Sequence, residues 1–447
     1  ERYGHDIGDV GGHQAPLGLL YLASFLEKNG FEVSLIDAEA QRYANNQIIE
    51  KIKLLRPDVI GITSTTVAFH RACAIASDIK KTYPQLPVVI GGPHVSANPR
   101  ETLSLKCFDF GVVGEGEVTA LNLFRAICDG KPVDFINGLV YIDKDSGKIK
   151  LTEARPYISD LDSLPFPARH LLPDIRRYKP PLGSYLNTPV ASMITSRGCP
   201  YGCIFCDKNV FGDSLRYHSP DYIISEIEDM IGRFGAREIA FLDDTFIVDT
   251  DRVRNILYLM KQNKINVSWS CMTRADILTR ELLQEMKSAG CWQMSIGVES
   301  GNQKVLDFMN KNIRLEDIRK VAAWCRQLGI YSKAFFMIGH PIDNIDTINE
   351  TVEFAKSNPF DDIVVTIVTP MPGTRLYDLA PDYGRLTHDD TSDFSYWKPV
   401  FVPNGLEEGL MYRKQAQFYR DFYCRPGTIL RQLGKIRSIP QLLKCFI

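Results

Sequence analysis

Short apolar runs alternate along most of the chain with segments whose apolar positions recur every three or four residues, the mark of strands separated by amphipathic helices. Residues 17–29 (LGLLYLASFLEKN) predict a helix stopped at Gly30, followed by strands FEVSLID and DVIGIT with a helix between them, and then by the runs PVVIGG and DFGVVG. Strands joined through helices of this length predict a parallel, doubly wound sheet in an α/β fold. The strand that should precede helix 17–29 is missing and the chain opens on Glu1, so its true start is expected to lie upstream. Residues 137–152 predict a hairpin turning at Asp145, Ser146 and Gly147, and from Glu153 to Pro189 the periodicity fades into a proline-rich, packed linker. A second series follows: VASMIT, REIAFLD, VSWSCM, CWQMSIG, YSKAFFMIG and DDIVVTIV, with helical patterns between. Six such repeats predict a partial (β/α)6 barrel of TIM type, with its chemistry at the C-terminal strand ends. The expected division is 1–135, hairpin and linker 136–189, barrel 190–395, and a helical C-terminal extension 396–447.

Composition narrows the class. With 447 residues, 45% hydrophobic and 24% charged, the chain has room for two or three domains and a large core. Its 52 basic and 54 acidic residues leave a net charge of −2, which argues against disorder and against a nucleic-acid partner. No apolar run approaches the roughly 18 residues of a membrane span and no leader pattern opens the chain, so a cytoplasmic location is expected. The cysteines number eleven, an odd count poorly explained by a disulfide framework.

Directly after the first strand of the second series stands TSRGCPYGCIFCDKN, with Cys199, Cys203 and Cys206 at offsets of four and three. Three thiolates on a Gly-Pro loop can wrap one soft metal centre, and a missing fourth thiolate leaves a position open for a substrate. The alternative is a zinc knuckle completed by Asp207, His218 or another cysteine.

The CxxxCxxC spacing, with Phe205 before the last cysteine, resembles the signature of the radical S-adenosylmethionine (SAM) superfamily. The resemblance implies that Cys199, Cys203 and Cys206 hold a 4Fe-4S cluster whose open iron chelates SAM, with backbone near Phe205 at the adenine. It also implies that Asp243 and Asp244 in FLDDTF accept from the SAM ammonium and that Glu299 in IGVESG meets the ribose. A helix N-cap is the bland reading of either aspartate. Gly339 and Gly373 are expected to permit close backbone approach, Arg274 to address a carboxylate or form a surface salt bridge, and His340 to reach substrate or cap a helix.

Ahead of the barrel, GITSTTV, PVVIGGPHVSANP and VVGEGEVTAL resemble the Rossmann-like cobalamin-binding domain of one radical SAM class. This resemblance implies that Thr63, Ser64 and Thr65 bond the cofactor's tail or amides, that Gly91 and Gly92 admit the nucleotide beside Pro93 and His94, and that Gly114, Glu115, Gly116 and Glu117 line the pocket. Cobalt would lie near a loop at Leu17 and Gly18. The D-x-H-x-x-G loop of other cobalamin domains is lacking: His5 follows Tyr3 at the place of the aspartate, and the match reads as chance. His70 reads as helix surface.

Such enzymes generate a deoxyadenosyl radical, and methylcobalamin then donates a methyl group, which implies a C-methyltransferase acting on an unactivated carbon. An oxidative cyclase resembling the anaerobic magnesium-protoporphyrin ester enzyme is the alternative, and a cobalamin sensor without turnover is a different class. A tRNA methylthiotransferase is disfavoured, since no basic RNA-binding module is visible. An external electron donor of flavodoxin or ferredoxin type is expected. Residues 411–447 carry eight Lys or Arg and one acid, interleaved with Phe418, Tyr419, Phe422 and Tyr423. Two readings stay open: peripheral contact with the inner face of a membrane, with a lipidic or tetrapyrrole-like substrate, or a helix over the barrel mouth with a solvated basic face.

Overall fold

A computed structural model describes residues 12–181, 183–388 and 394–433. The first sheet is built from Ile60–Thr63 (β1), Val88–Gly91 (β2), Phe110–Val112 (β3), Leu139–Ile142 (β4) and Ile149–Leu151 (β5), in that spatial order. β1, β2 and β3 run parallel; β4 and β5 are antiparallel. The hairpin at 137–152 therefore forms as expected, but it pairs with β3 and carries the first sheet past the boundary anticipated at residue 135. Helices Leu17–Lys28 and Gly116–Asp129 pack on one face around Leu26, Val89, Leu123 and Phe124, and helix Phe69–Thr82 covers the other around Ile79 and Ile90.

FEVSLID is not a strand. Phe31 and Val33 pack against the core, yet no neighbour pairs with this segment among the described residues, and apolar alternation without a ladder partner leaves extended chain.

The second sheet holds Val190–Met193 (β6), Glu238–Phe241 (β9), Ser268–Thr273 (β10), Cys291–Glu299 (β11), Tyr331–Ile338 (β12) and Asp362–Ile367 (β13), all parallel and in that order. A two-stranded ribbon, Ser196–Arg197 (β7) and Arg216–Tyr217 (β8), brackets the cysteine loop. Among the described residues no pairing joins β6 to β13, so this is an open, partial barrel. Alternation along β12 shows how it works: Ser332, Ala334, Phe336 and Ile338 are buried, while Tyr331, Lys333, Phe335 and Met337 are half-buried.

The open edge at β13 is covered by helix Glu408–Tyr423. Tyr419 Oη donates to Val365 O (3.2 Å) and accepts from Val365 N (2.9 Å), and Gln415 Nε2 donates to Val365 O (2.9 Å). Phe418 and Phe422 are fully buried, Phe418 lying 5.2 Å from Phe336 between ring centroids. Backbone groups of an edge strand need partners, and this helix supplies them through side chains. The aromatics that suggested a membrane surface thus face inward and cover the sheet edge; the tail beyond residue 433, like His5 and Tyr3, lies outside the described residues. No helix among the described residues is long and apolar enough to cross a membrane.

Candidate active site

The cysteine loop is clamped from several sides. Gly198 adopts φ +89°, and a Cβ there would lie 2.4 Å from Ser214 O, so this turn accepts only glycine. Cys199 N donates to Gly212 O (3.3 Å), Ile204 N to Met309 O (3.1 Å), and Leu376 N to Ile204 O (2.9 Å). Cys203 is buried, Cys199 half-buried and Cys206 exposed. The hydrogen bond from Cys206, aided by Lys311 and Arg274, lowers the Cys203 thiol toward thiolate, while the same pairing raises Cys206.

Arg274 is neither a surface salt bridge nor a free receptor. It is 4% exposed, gripped by Asp276 through two bonds of 3.0 Å, donates to Lys311 O (2.7 Å), and lies 3.8 Å above the Tyr201 ring. Its remaining nitrogen stands 3.8 Å from Cys203 Sγ. Glu299, in left-handed backbone at φ +65°, accepts from Lys311 Nζ at 2.8 Å, and that ammonium sits 5.8 Å over the Phe205 ring. Lys311 escaped the sequence reading; the signal was available in Asn310 and Asn312, whose positive φ turns the lysine inward and whose residue type tolerates it.

Beside Cys203 and Cys206 opens a cavity of about 460 Å³, lined also by Lys208, Asn209 and Arg375. Of the side chains that could complete a zinc knuckle, His218 is bonded to Asp162 (3.1 Å) and stacked on Tyr222, and Asp207 accepts from Asn209 N. Three thiols on a fixed loop, with two buried cations against one of them, suit a larger anionic iron-sulfur centre.

Asp243 follows β9 and is 1% exposed. One carboxylate oxygen accepts from Thr195 N (3.0 Å), Thr195 Oγ1 (2.7 Å) and Ser196 Oγ; the other is buried without a partner. Burial raises its pKa, and desolvation with the neighbouring Asp243 charge raises that of Asp244. Neither is a helix cap: Asp249 caps helix Thr250–Gln262. Gly339 (φ +86°) permits a close approach, but by the Met411 side chain, 2.1 Å from where its Cβ would be. His340 is fully buried with both ring nitrogens unpartnered, and it caps nothing, since Asn344 caps the next helix.

At the first sheet, β1 and β2 end side by side. Ser64 N donates to Gly91 O (3.1 Å) and His94 N to Ser64 O (3.2 Å). Gly92, at φ +97°, would place a Cβ 2.7 Å from Thr63 Oγ1, whereas a Cβ on Gly91 would meet nothing within 4 Å. His94, following Pro93, is buried against Phe69 (3.7 Å) with Nδ1 on Thr66 Oγ1 (3.2 Å), and its Nε2 is buried without a partner. Burial pushes this ring down to about 4. Open space at Gly91 and an unmet imidazole nitrogen fit an inserted nucleotide tail, with Thr63 and Thr65 exposed beside it. His70 is helix surface, as expected.

Leu17 and Gly18 form the first turn of helix Leu17–Lys28 rather than a loop, and Leu17 is packed with Leu20, Leu172 and Tyr178. Glu115 and Glu117, expected at a pocket wall, are ion-paired: Arg197 reaches Glu115 (2.9 Å) and Glu117 (2.6 Å), and Arg216 reaches Glu115 (2.8 Å). Gly114 and Gly116 flank this turn, and a Cβ on Gly114 would approach Val210 O at 3.9 Å. Gly373 lies against Ala97 and Asn209, so the C-terminal strand ends of both sheets meet around the cysteine loop.

The model of the radical SAM superfamily matches residues 193–355, and that of the B12 binding domain matches residues 6–124. The chain belongs to the cobalamin-binding radical SAM family, an enzyme family whose cofactors are a 4Fe-4S cluster, SAM and cobalamin. It is 32% identical to an uncharacterized methyltransferase, PH0819, of Pyrococcus horikoshii, over 95% of this chain and 91% of that one. It is 27% identical to the anaerobic magnesium-protoporphyrin IX monomethyl ester cyclase of Rubrivivax gelatinosus, over 94% of this chain and 76% of the relative. Its fold is shared with the cobalamin-dependent radical enzyme OxsB, solved with aqua-cobalamin and SAM, at TM-score 0.78 and 18% identity, covering 97% of this chain and 68% of that one.

Proposed function

We propose that this chain is a C-methyltransferase acting on an unactivated carbon of a small, lipidic or tetrapyrrole-like molecule. The observation that carries the reading is the meeting of both strand-end faces around one loop, through Gly373 against Ala97 and Arg197 against Glu115, which leaves a substrate between the two cofactor sites. When bound, the cluster with SAM supplies a carbon radical and cobalamin supplies the methyl group. Cys199, Cys203 and Cys206 hold the cluster, and Arg274 and Lys311 balance its negative charge beside Cys203. Asp243, through its unmet oxygen, and Asp244 take the SAM ammonium; Glu299, held by Lys311, faces the ribose. Gly91 and His94 receive the cobalamin tail, and a flavodoxin- or ferredoxin-type protein delivers the electron.

The tetrapyrrole class is supported by the activity of the Rubrivivax relative; the C-terminal aromatics do not support it, because they pack inward. Incubating the reconstituted protein anaerobically with a candidate substrate and methyl-deuterated SAM tests the reading. A product about three mass units heavier than the unlabelled-SAM product is expected, the mass that full deuteration adds to one methyl group. A turned-over product without label favours the cyclase, and no deoxyadenosine with any substrate favours a sensor.

A further inference from the structure

Four charged side chains form one ion-paired cluster where the two sheets meet. Glu115, Glu117 and Arg197 are buried, and the Arg216 side chain is 10% exposed. The two acids and two arginines balance. Glu115 accepts from Arg197, from Arg216 and, through its second oxygen, from Ile158 N (2.8 Å); Glu117 accepts from Arg197. Arg197 is also flanked by the rings of Tyr21 (5.3 Å) and Phe211 (5.2 Å), and Arg216 by Tyr157 (4.8 Å). Burial opposes the Arg197 charge, but Glu117 and Glu115 outweigh it and raise its pKa.

The position of Arg197 gives this cluster its meaning. It follows Ser196, which donates to Asp243, and precedes Gly198 and Cys199. Glu115 stands in the turn after β3, where Gly114 abuts the cysteine loop at Asn209 and Val210. One guanidinium therefore joins the strand-end turn of the first sheet to the root of the cluster loop. Buried ion pairs are poor sources of net stability compared with apolar packing, and their best-attested use is to specify a single arrangement.

We propose that Arg197 is a positioning residue: held by Glu115 and Glu117, it fixes the cluster loop against the turn after β3, so that a loaded cluster and bound cobalamin strengthen each other. This rests on the family's cofactors and is independent of which substrate is methylated. The test is a titration of hydroxocobalamin into anaerobic full-length protein with and without its reconstituted cluster. Wild type is expected to bind at least about fivefold more tightly with the cluster present, the lower end of ordinary coupling between sites. In Arg197→Lys that ratio is expected to fall to about one, the limit of no coupling, and in Glu117→Gln, which frees one arm of Arg197, to fall below the wild-type value, with cluster-free affinity retained in both. A residue that only stabilised the fold would lower the melting temperature and leave the ratio intact. A wild-type ratio of one, or an unchanged ratio in the folded variants, overturns the proposal. Should Arg197→Lys fail to fold by circular dichroism, Glu117→Gln decides: it loosens Arg197 while the Glu115 bond keeps the chain folded, and a ratio equal to that of wild type overturns the proposal.

Discussion

Two pairs of carboxylates stand just after parallel strands, Glu115 and Glu117 after β3 and Asp243 and Asp244 after β9, and their surroundings differ. The glutamates are bound by two arginines and a backbone amide. Asp243 is as deeply buried, yet one of its oxygens meets nothing, and Asp244 makes no side-chain hydrogen bond among the described residues. A buried polar atom without a partner is costly, so it persists where a ligand completes it. Saturated carboxylates join parts of the molecule; unsaturated ones await a cation.

The largest effect should come from the second region alone. Cys203→Ala is expected to abolish iron loading and deoxyadenosine formation while hydroxocobalamin still binds, as checked by metal analysis and optical titration. Loss of cobalamin binding together with iron would mean that the two regions are one site. Next, Glu117→Gln should cost about 3 kcal/mol in urea unfolding, because Arg197 keeps part of its charge buried and uncompensated. A cost near zero would place that pair among weak surface bridges.

The His94 ring titrates near 4 in the folded chain against an ordinary 6.5, so the unfolded chain takes up the proton first. Stability is thus whole above about pH 6.5 and is lost as pH falls toward 4, by about 3 kcal/mol. Urea unfolding between these limits should show a flatter pH dependence in His94→Gln; part of the slope survives, because His218 is depressed to about 4 in the same way. The smallest effect is expected at Tyr419→Phe, which removes the bonds to Val365 at the barrel edge and should cost about 1 kcal/mol with cobalamin affinity unchanged.

What could be read from the sequence was what is local. The cysteine loop, the parallel strands and the strand-end aspartates announce themselves within a dozen residues by spacing and alternation. Arg197 did not, because its partners lie 80 and 82 residues away. FEVSLID misled because alternation reports a pleat and not a neighbour to pair with. The 418, 419, 422 and 423 aromatics showed the helical spacing of a buried face, but spacing cannot say whether that face meets lipid or the edge of a sheet.

The contrast between the two carboxylate pairs is tested most directly by calorimetric titration of SAM into anaerobic, cluster-loaded Asp243→Asn and Glu117→Gln proteins. Asparagine keeps an acceptor for Thr195 and Ser196 but turns an amide toward the unmet side. SAM affinity should therefore fall about 10- to 100-fold in Asp243→Asn, the worth of a hydrogen bond to a charged group, and hold in Glu117→Gln. Equal affinity of Asp243→Asn and wild type would contradict the account.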